Sequence, residues 1–172
     1  CSIIGENAPG NLNRLIKIIE MGLLPIFNGG GNKKSLIYVG DVVDAALLCL
    51  EMKDRSNSKI FNVADQDTLQ IIEIGSIFAE AIGKKPIIVN LPKRIFLALA
   101  TVWDYLAKLT DGKLPYLKRS LITYSSNDMS NSKKIYQELG FKTNISLKEG
   151  LYRMVADYEV RIGSKSRKRK QY

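Results

Sequence analysis

The stretch from residue 35 to residue 52 constrains this chain more than any other. Residues 35–39 (SLIYV) form an apolar run of strand length. Only Gly40 separates it from Asp41, a residue type that caps helices, and from a helical-length segment over 42 to about 52. That segment, VVDAALLCL at its start, is apolar around much of its circumference and needs burial against a sheet. The remaining strand signals are sparse: residues 2–5, IFNV at 60–63 and IIVNL at 87–91. Strands interleaved with helices indicate the α/β class, with too few strands for a satisfactory sheet. More strands are expected from outside these residues, and the chain is expected to be truncated upstream.

Helix signals fill the rest. Asn11 is placed to cap a helix ending near residue 21, with Leu12, Leu15, Ile16 and Ile19 at amphipathic spacing. Residues 27–34 (FNGGGNKK) read as a loop, and Thr68 as the cap of a helix stopped by Gly83. Pro92 suits the first turn of a long helix to about residue 109, where its missing N–H costs nothing. A short helix is expected over about 116–122, and Ser130 should cap another that ends at Leu139-Gly140. Ser146 and Glu149 form a capping-box pattern for a last helix to about residue 160.

Composition removes several chemistries. The chain has no histidine, and its two cysteines, Cys1 and Cys49, form no CxxC pair. Most zinc sites and all Ser-His-Asp or Cys-His machinery are thereby excluded, and no metal site is expected. No apolar run is long enough to cross a bilayer and residue 1 opens no signal sequence, so a cytoplasmic location is expected. The net charge is +9, but Lys165, Arg167, Lys168, Arg169 and Lys170 supply five of those charges without a nearby carboxylate. Residues 163–172 are expected to be a disordered basic tail on a body of residues 1–162. No specific nucleic-acid partner is expected.

The order of segments resembles the extended short-chain dehydrogenase/reductase family, specifically its NAD-dependent epimerase/dehydratase group, over its carboxy-terminal half. The residues that carry the resemblance are Cys1-Ser2-Ile3-Ile4-Gly5 followed by Asn11-Leu12, then Gly29-Gly30-Gly31-Asn32-Lys33-Lys34 leading into SLIYV and Asp41. Phe61-Asn62-Val63-Ala64, then Glu138-Leu139-Gly140-Phe141 and Ser146-Leu147-Lys148-Glu149-Gly150-Leu151 follow in family order. Ile4 stands where the family usually has Tyr, and Glu6 where it has Pro. The glycine fingerprint GxxGxxG that cradles a dinucleotide pyrophosphate does not occur, and none of the eight tyrosines is followed four residues later by Lys.

The resemblance implies a mostly helical substrate-binding lobe with a few short strands, whose Rossmann half lies upstream. It implies a role in an NAD(P)-dependent epimerase, dehydratase or oxidoreductase acting on a nucleotide-diphosphate sugar, with the cofactor, NAD or NADP, held mainly by the other half. No catalytic residue is expected here, and the fragment alone should be inactive. In such enzymes an Asn at the start of the first helix and a basic residue before the SLIYV-like strand hold the diphosphate; the matching positions are Asn11 and Lys34. The family usually has Arg at the second, and Lys cannot form the bidentate fork. Arg119 is the nearest candidate for a second basic contact, and Cys1 and Ser2 fall where the family backbone passes the nicotinamide. Tyr38, Trp103 and Tyr105 are candidate pocket walls or core. A homodimer is compatible with the resemblance. The apolar residues 92–115 also resemble hydroxysteroid dehydrogenase-like and flavonol reductase-like enzymes, so an apolar alcohol or ketone is the alternative substrate. A non-catalytic module whose tail binds nucleic acid or membrane is the rival from another class.

Overall fold

The computed structural model describes residues 1–8, 10–109 and 118–169. Along the chain run β1 (Ser2–Ile4), α1 (Asn11–Glu20), β2 (Leu23–Phe27), β3 (Lys33–Tyr38), α2 (Val39–Glu51), the one-turn α3 (Lys53–Ser56) and β4 (Thr68–Gln70). Then follow α4 (Ile71–Ile82), β5 (Ile87–Leu91), α5 (Lys93–Leu109), α6 (Lys118–Ser125), α7 (Lys133–Leu139) and α8 (Leu147–Arg169). The class is α/β and predominantly helical, as the sequence indicates.

β3 is the spine. It pairs in parallel with β1, in the register Ile3 to Ile37, and antiparallel with β4, Lys34 to Leu69. Leu36 and Ile37 point to opposite faces, and each is 1% exposed. Burial on both faces explains why the SLIYV run shows no polar alternation. Leu36 joins the larger core with Ile4, Leu15, Ile16, Ile74, Phe78 and Leu151, contributed by β1, α1, α4 and α8. Ile37 joins a second core with Ala45, Ile135, Leu139 and Phe141. α2 enters directly from β3, and Val43, Leu47 and Leu50 remain 54, 51 and 63% exposed on it. The expected burial of this helix against a sheet is met on one side only.

Several expectations need correction. Residues 23–27 are not among the strand signals of the sequence, yet they form β2, which pairs in parallel with β5 alone, where the missing N–H of Pro25 is tolerated. Residues 60–63 are not a strand: Asp65 donates its backbone N–H to the Leu36 carbonyl, and Ile60 is 86% exposed. β4 takes the place beside β3 from Thr68 onward, so Thr68 is in a strand and not a cap; Gln70 and Glu73 make the capping box of α4. Asn11 is the first helical residue of α1, with Gly10 in the cap position at φ 118°. Asp41 lies inside the first turn of α2, buried, accepting the Asn144 backbone N–H at 2.8 Å. Ser132, not Ser130, precedes α7. Gly83 and Gly140 end their helices in the left-handed conformation as expected, and Ser146 Oγ accepts the Glu149 N–H at 3.2 Å. α8 runs past residue 160 into the basic segment, where Lys and Arg are good helix formers and their charge suits a helix C-terminus.

Candidate functional site

Short elements around β3 create a cleft of about 590 Å³. One wall is the end of β1 and the turn after it, the second is the start of α1, and the third is α6 through Thr123 and Tyr124. Its floor is apolar, with Leu12, Leu36, Val39 and Ile71. Cys1, Ser2, Asn11 and Lys34, four of the five residues that the resemblance marks as substrate or cofactor contacts, line this one cavity. A second cavity of about 640 Å³, between residues 65–68 and 129–137, contains none of them. The side chain of the fifth, Arg119, lies outside the described residues, as does that of Trp103. The backbone of Arg119 belongs to α6, the helix that forms the third wall.

The α1 wall presents a helix N-terminus. Gly10 supplies no side-chain cap, and the first turn has no acidic residue, so its N–H groups give that end of the cavity a positive potential. Asn11 and Gly10 both line the cavity there. Asn13, two positions on, donates from Nδ2 to the Ala8 carbonyl and shapes the entering turn.

Lys34 is not the mobile loop charge that its sequence neighbours suggest. It sits in β3 and is 6% exposed. Its Nζ donates to the Thr123 carbonyl at 2.5 Å and to the Ser126 carbonyl at 2.7 Å. Asn32 Nδ2 donates to the Tyr124 carbonyl at 2.8 Å. These carbonyls close the C-terminus of α6, so an ammonium and an amide from the β3 region cap that helix and hold it against the cleft. Burial pulls the Lys34 ammonium below its ordinary range, against the opposing pull of the Asp128 carboxylate. An ammonium has three N–H donors, so one remains beyond the two carbonyls.

The tyrosines of the region are structural. Tyr124 donates its hydroxyl to the Pro25 carbonyl at 2.9 Å and meets Phe27 edge to face at 5.6 Å. Burial raises its phenol far above the ordinary value, which removes it from proton exchange near neutral pH. Tyr38 donates to Glu6 Oε2 at 2.9 Å and accepts from Arg153 at 3.3 Å, with the guanidinium 5.4 Å from its ring. It does not line the cleft, whereas Glu6 does. Tyr105, on α5, is 66% exposed and lies away from it. No group of His, Cys, Asp or Glu suited to a metal ion occurs among the described residues. Sequence reasoning missed Glu6, Thr123 and Tyr124 as lining residues; Glu6 was visible only as a departure from the family's Pro.

No known family model matches the chain. Over 152 residues it is 24% identical to N-acetyl-alpha-D-glucosaminyl-diphospho-ditrans,octacis-undecaprenol 4-epimerase of Escherichia coli O157:H7, covering 88% of this chain and 45% of that protein. The chain therefore spans less than half the length of this curated relative. The solved UDP-glucuronic acid 4-epimerase of Bacillus cereus in complex with NAD superposes with a TM-score of 0.64 at 18% identity, over 92% of this chain and 42% of that one. A dTDP-glucose 4,6-dehydratase of Bacillus anthracis in complex with NAD gives 0.60 at 14% identity, over 92% and 42%.

Proposed function

Because the chain has the fold of the carboxy-terminal part of the extended short-chain dehydrogenase/reductases, NAD-dependent epimerases and dehydratases among them, we propose that it is the substrate-binding half of such an enzyme, acting on a sugar diphosphate. The observation that carries this is the gathering of Cys1, Ser2, Asn11 and Lys34 around one cleft of about 590 Å³, a size that suits a small ligand.

In this reading the diphosphate lies against the N-terminus of α1, where Asn11 offers its amide and the helix end favours an anion. Lys34 lends positive charge from below, and its main task is to fix α6 as the facing wall. The sugar reaches toward Cys1 and Ser2. These small side chains leave space at the β1 end for the edge of a nicotinamide, while nothing in the chain matches the glycine fingerprint for its pyrophosphate. A nicotinamide cofactor held at that end would supply hydride transfer to and from the sugar. The Tyr and Lys that move the accompanying proton, like most of the cofactor's contacts, belong to the other half, and the fragment alone is inactive.

UDP-sugars and polyprenyl-diphosphate sugars share the part of the substrate that this cleft would hold. The name of the Escherichia coli relative specifies the second kind. Titration calorimetry of the 172-residue chain with UDP-sugars tests the assignment. Asn11→Ala should weaken binding about tenfold or more, the scale of a hydrogen bond to a charged group. Equal affinity in the variant, or tight binding of NAD by the chain alone, would refute it. Binding of a steroid or flavonol in place of any UDP-sugar would favour the apolar-substrate alternative.

A further inference from the structure

The positive charge of the chain is concentrated. Outside residues 93–119 and 163–172 cations and carboxylates are equal in number, so these two segments hold the whole net +9. In the first, Lys93, Arg94, Lys108, Lys113, Lys118 and Arg119 are set against Asp104 and Asp111 only.

α5 lies in that segment, and its exposed face has a definite pattern. Ile95, Val102 and Tyr105 are 54, 60 and 66% exposed, and Ala98 is exposed between them. The spacing of three, four and three residues aligns all four in one row. Ala100 and Ala107, on the opposite side, are buried at 4% and 0%. Arg94, Thr101 and Lys108 are exposed too and form a second row at seven-residue spacing beside the first. On a helix turned only toward water the first row would be polar. α5 has 17 residues, and no described helix is long and apolar enough to cross a membrane. An apolar row edged on one side by Arg94 and Lys108, with the half-exposed Asp104 four residues before Lys108 as the one carboxylate beside them, suits a helix lying flat in a bilayer interface, with its cations at the lipid phosphates and a Tyr at the boundary.

We propose that α5 docks the chain on an anionic phospholipid surface. The row Ile95, Ala98, Val102 and Tyr105 enters the acyl boundary, and Arg94 and Lys108 engage the headgroups. α6 packs on α5 and lends Thr123 and Tyr124 to the cleft, so docking brings the cleft close to the headgroups. The inference stands on exposure and charge and does not depend on the substrate assignment.

Vesicle flotation of the full chain decides it. The chain should float with phosphatidylcholine vesicles containing about 30 mol % phosphatidylglycerol and not with phosphatidylcholine alone. Ile95→Asp with Val102→Asp should abolish flotation at an unchanged melting temperature. Arg94→Gln with Lys108→Gln should lower the partition about 30-fold, because each cation near an anionic leaflet is worth about fivefold. Replacing Lys165, Arg167, Lys168, Arg169 and Lys170 by Gln separates the tail, and flotation of that variant should still require Val102. The proposal is overturned if the wild type does not float, if the row variants float normally, or if the tail replacement alone abolishes binding. A wild-type dimer that Val102→Asp converts to monomer, with no flotation, would assign the row to a second copy and likewise overturn it.

Discussion

Replacing Lys34 by Met keeps the aliphatic stem in β3 and removes the ammonium that caps α6. Two charge-assisted hydrogen bonds, to the Thr123 and Ser126 carbonyls, are lost. Each is worth about 1.5–3 kcal/mol net of the water hydrogen bonds it replaces, and the further cost of burying the ammonium, several kcal/mol, opposes them. The carbonyls are not left bare: Ser126 Oγ also donates to Thr123 O at 3.1 Å, and Asn32 Nδ2 reaches Ser126 O at 3.4 Å. A net loss of about 2 kcal/mol at pH 7 follows, and it should lower the melting temperature by about 4–8 °C in a chain of this length. The pH dependence is the sharper test. The folded pKa of Lys34 lies below its ordinary value of 10.5, so at alkaline pH the unfolded chain holds a proton that the folded chain has released. The wild type therefore gains stability as pH rises from the folded pKa toward the unfolded one, in addition to what it holds at neutral pH. The stability difference between wild type and Lys34→Met should widen as pH rises toward 10.5, measured by urea denaturation at a series of pH values. A difference that stays constant or narrows would refute the buried-clamp account and return Lys34 to the solvent.

Tyr124→Phe should cost about 1 kcal/mol by leaving the Pro25 carbonyl without its donor. The raised folded pKa of Tyr124 means that its contribution is present below about pH 10 and falls away above it. Absorbance titration of the tyrosinates should accordingly show one late phenol in the wild type that the variant lacks. Gly5→Ala places a Cβ 2.8 Å from Val39 Cγ1 and 3.0 Å from the Tyr38 ring, at a φ of 132° that side chains avoid. A loss of about 2–4 kcal/mol in chemical denaturation is expected, and a neutral result would mean that the β1 turn relaxes freely. Phe78→Ala, at a fully buried position of the larger core, should cost about 3–5 kcal/mol in the same assay, with a smaller loss showing that the core collapses around the cavity.

The elements that sequence located well are those whose signals are local. Gly83 and Gly140 stop helices because a left-handed residue closes the last turn, and Ser146 caps α8 from three residues away. The failures share a different cause. IFNV has the composition of a strand, but β4 takes the neighbouring edge of β3 beginning only at Thr68. LLPIF carries Pro25 and gives no strand signal by itself, and only its parallel partner β5, about 60 residues later, makes it a strand. Pairing partners decide such segments, and a strand's own residues do not name them.

The site divides along the same line. Asn11 and Lys34 were reached by motif order, and β1, α1 and β3 bring them to one cleft because parallel pairing of Ile3 with Ile37 sets the two segments side by side. What Lys34 does there was not legible. Its partners are carbonyls of residues 123 and 126, 89 and 92 positions away and marked by no side chain. A lysine beside a glycine-rich loop and a lysine capping a distant helix are identical in sequence, and burial alone separates them. That distinction shapes the chemistry. A solvated lysine would meet a diphosphate as a movable charge, whereas this one is fixed to α6, so any anion in the cleft must come to it. The affinity of the cleft for a sugar diphosphate should then depend on the placement of α6 as much as on charge. Lys34→Arg is the variant that separates the two: it keeps the charge, but the guanidinium does not fit the ammonium's place between two carbonyls. Weaker UDP-sugar binding in Lys34→Arg than in wild type would show that wall position governs the site, whereas equal or tighter binding would show that charge does.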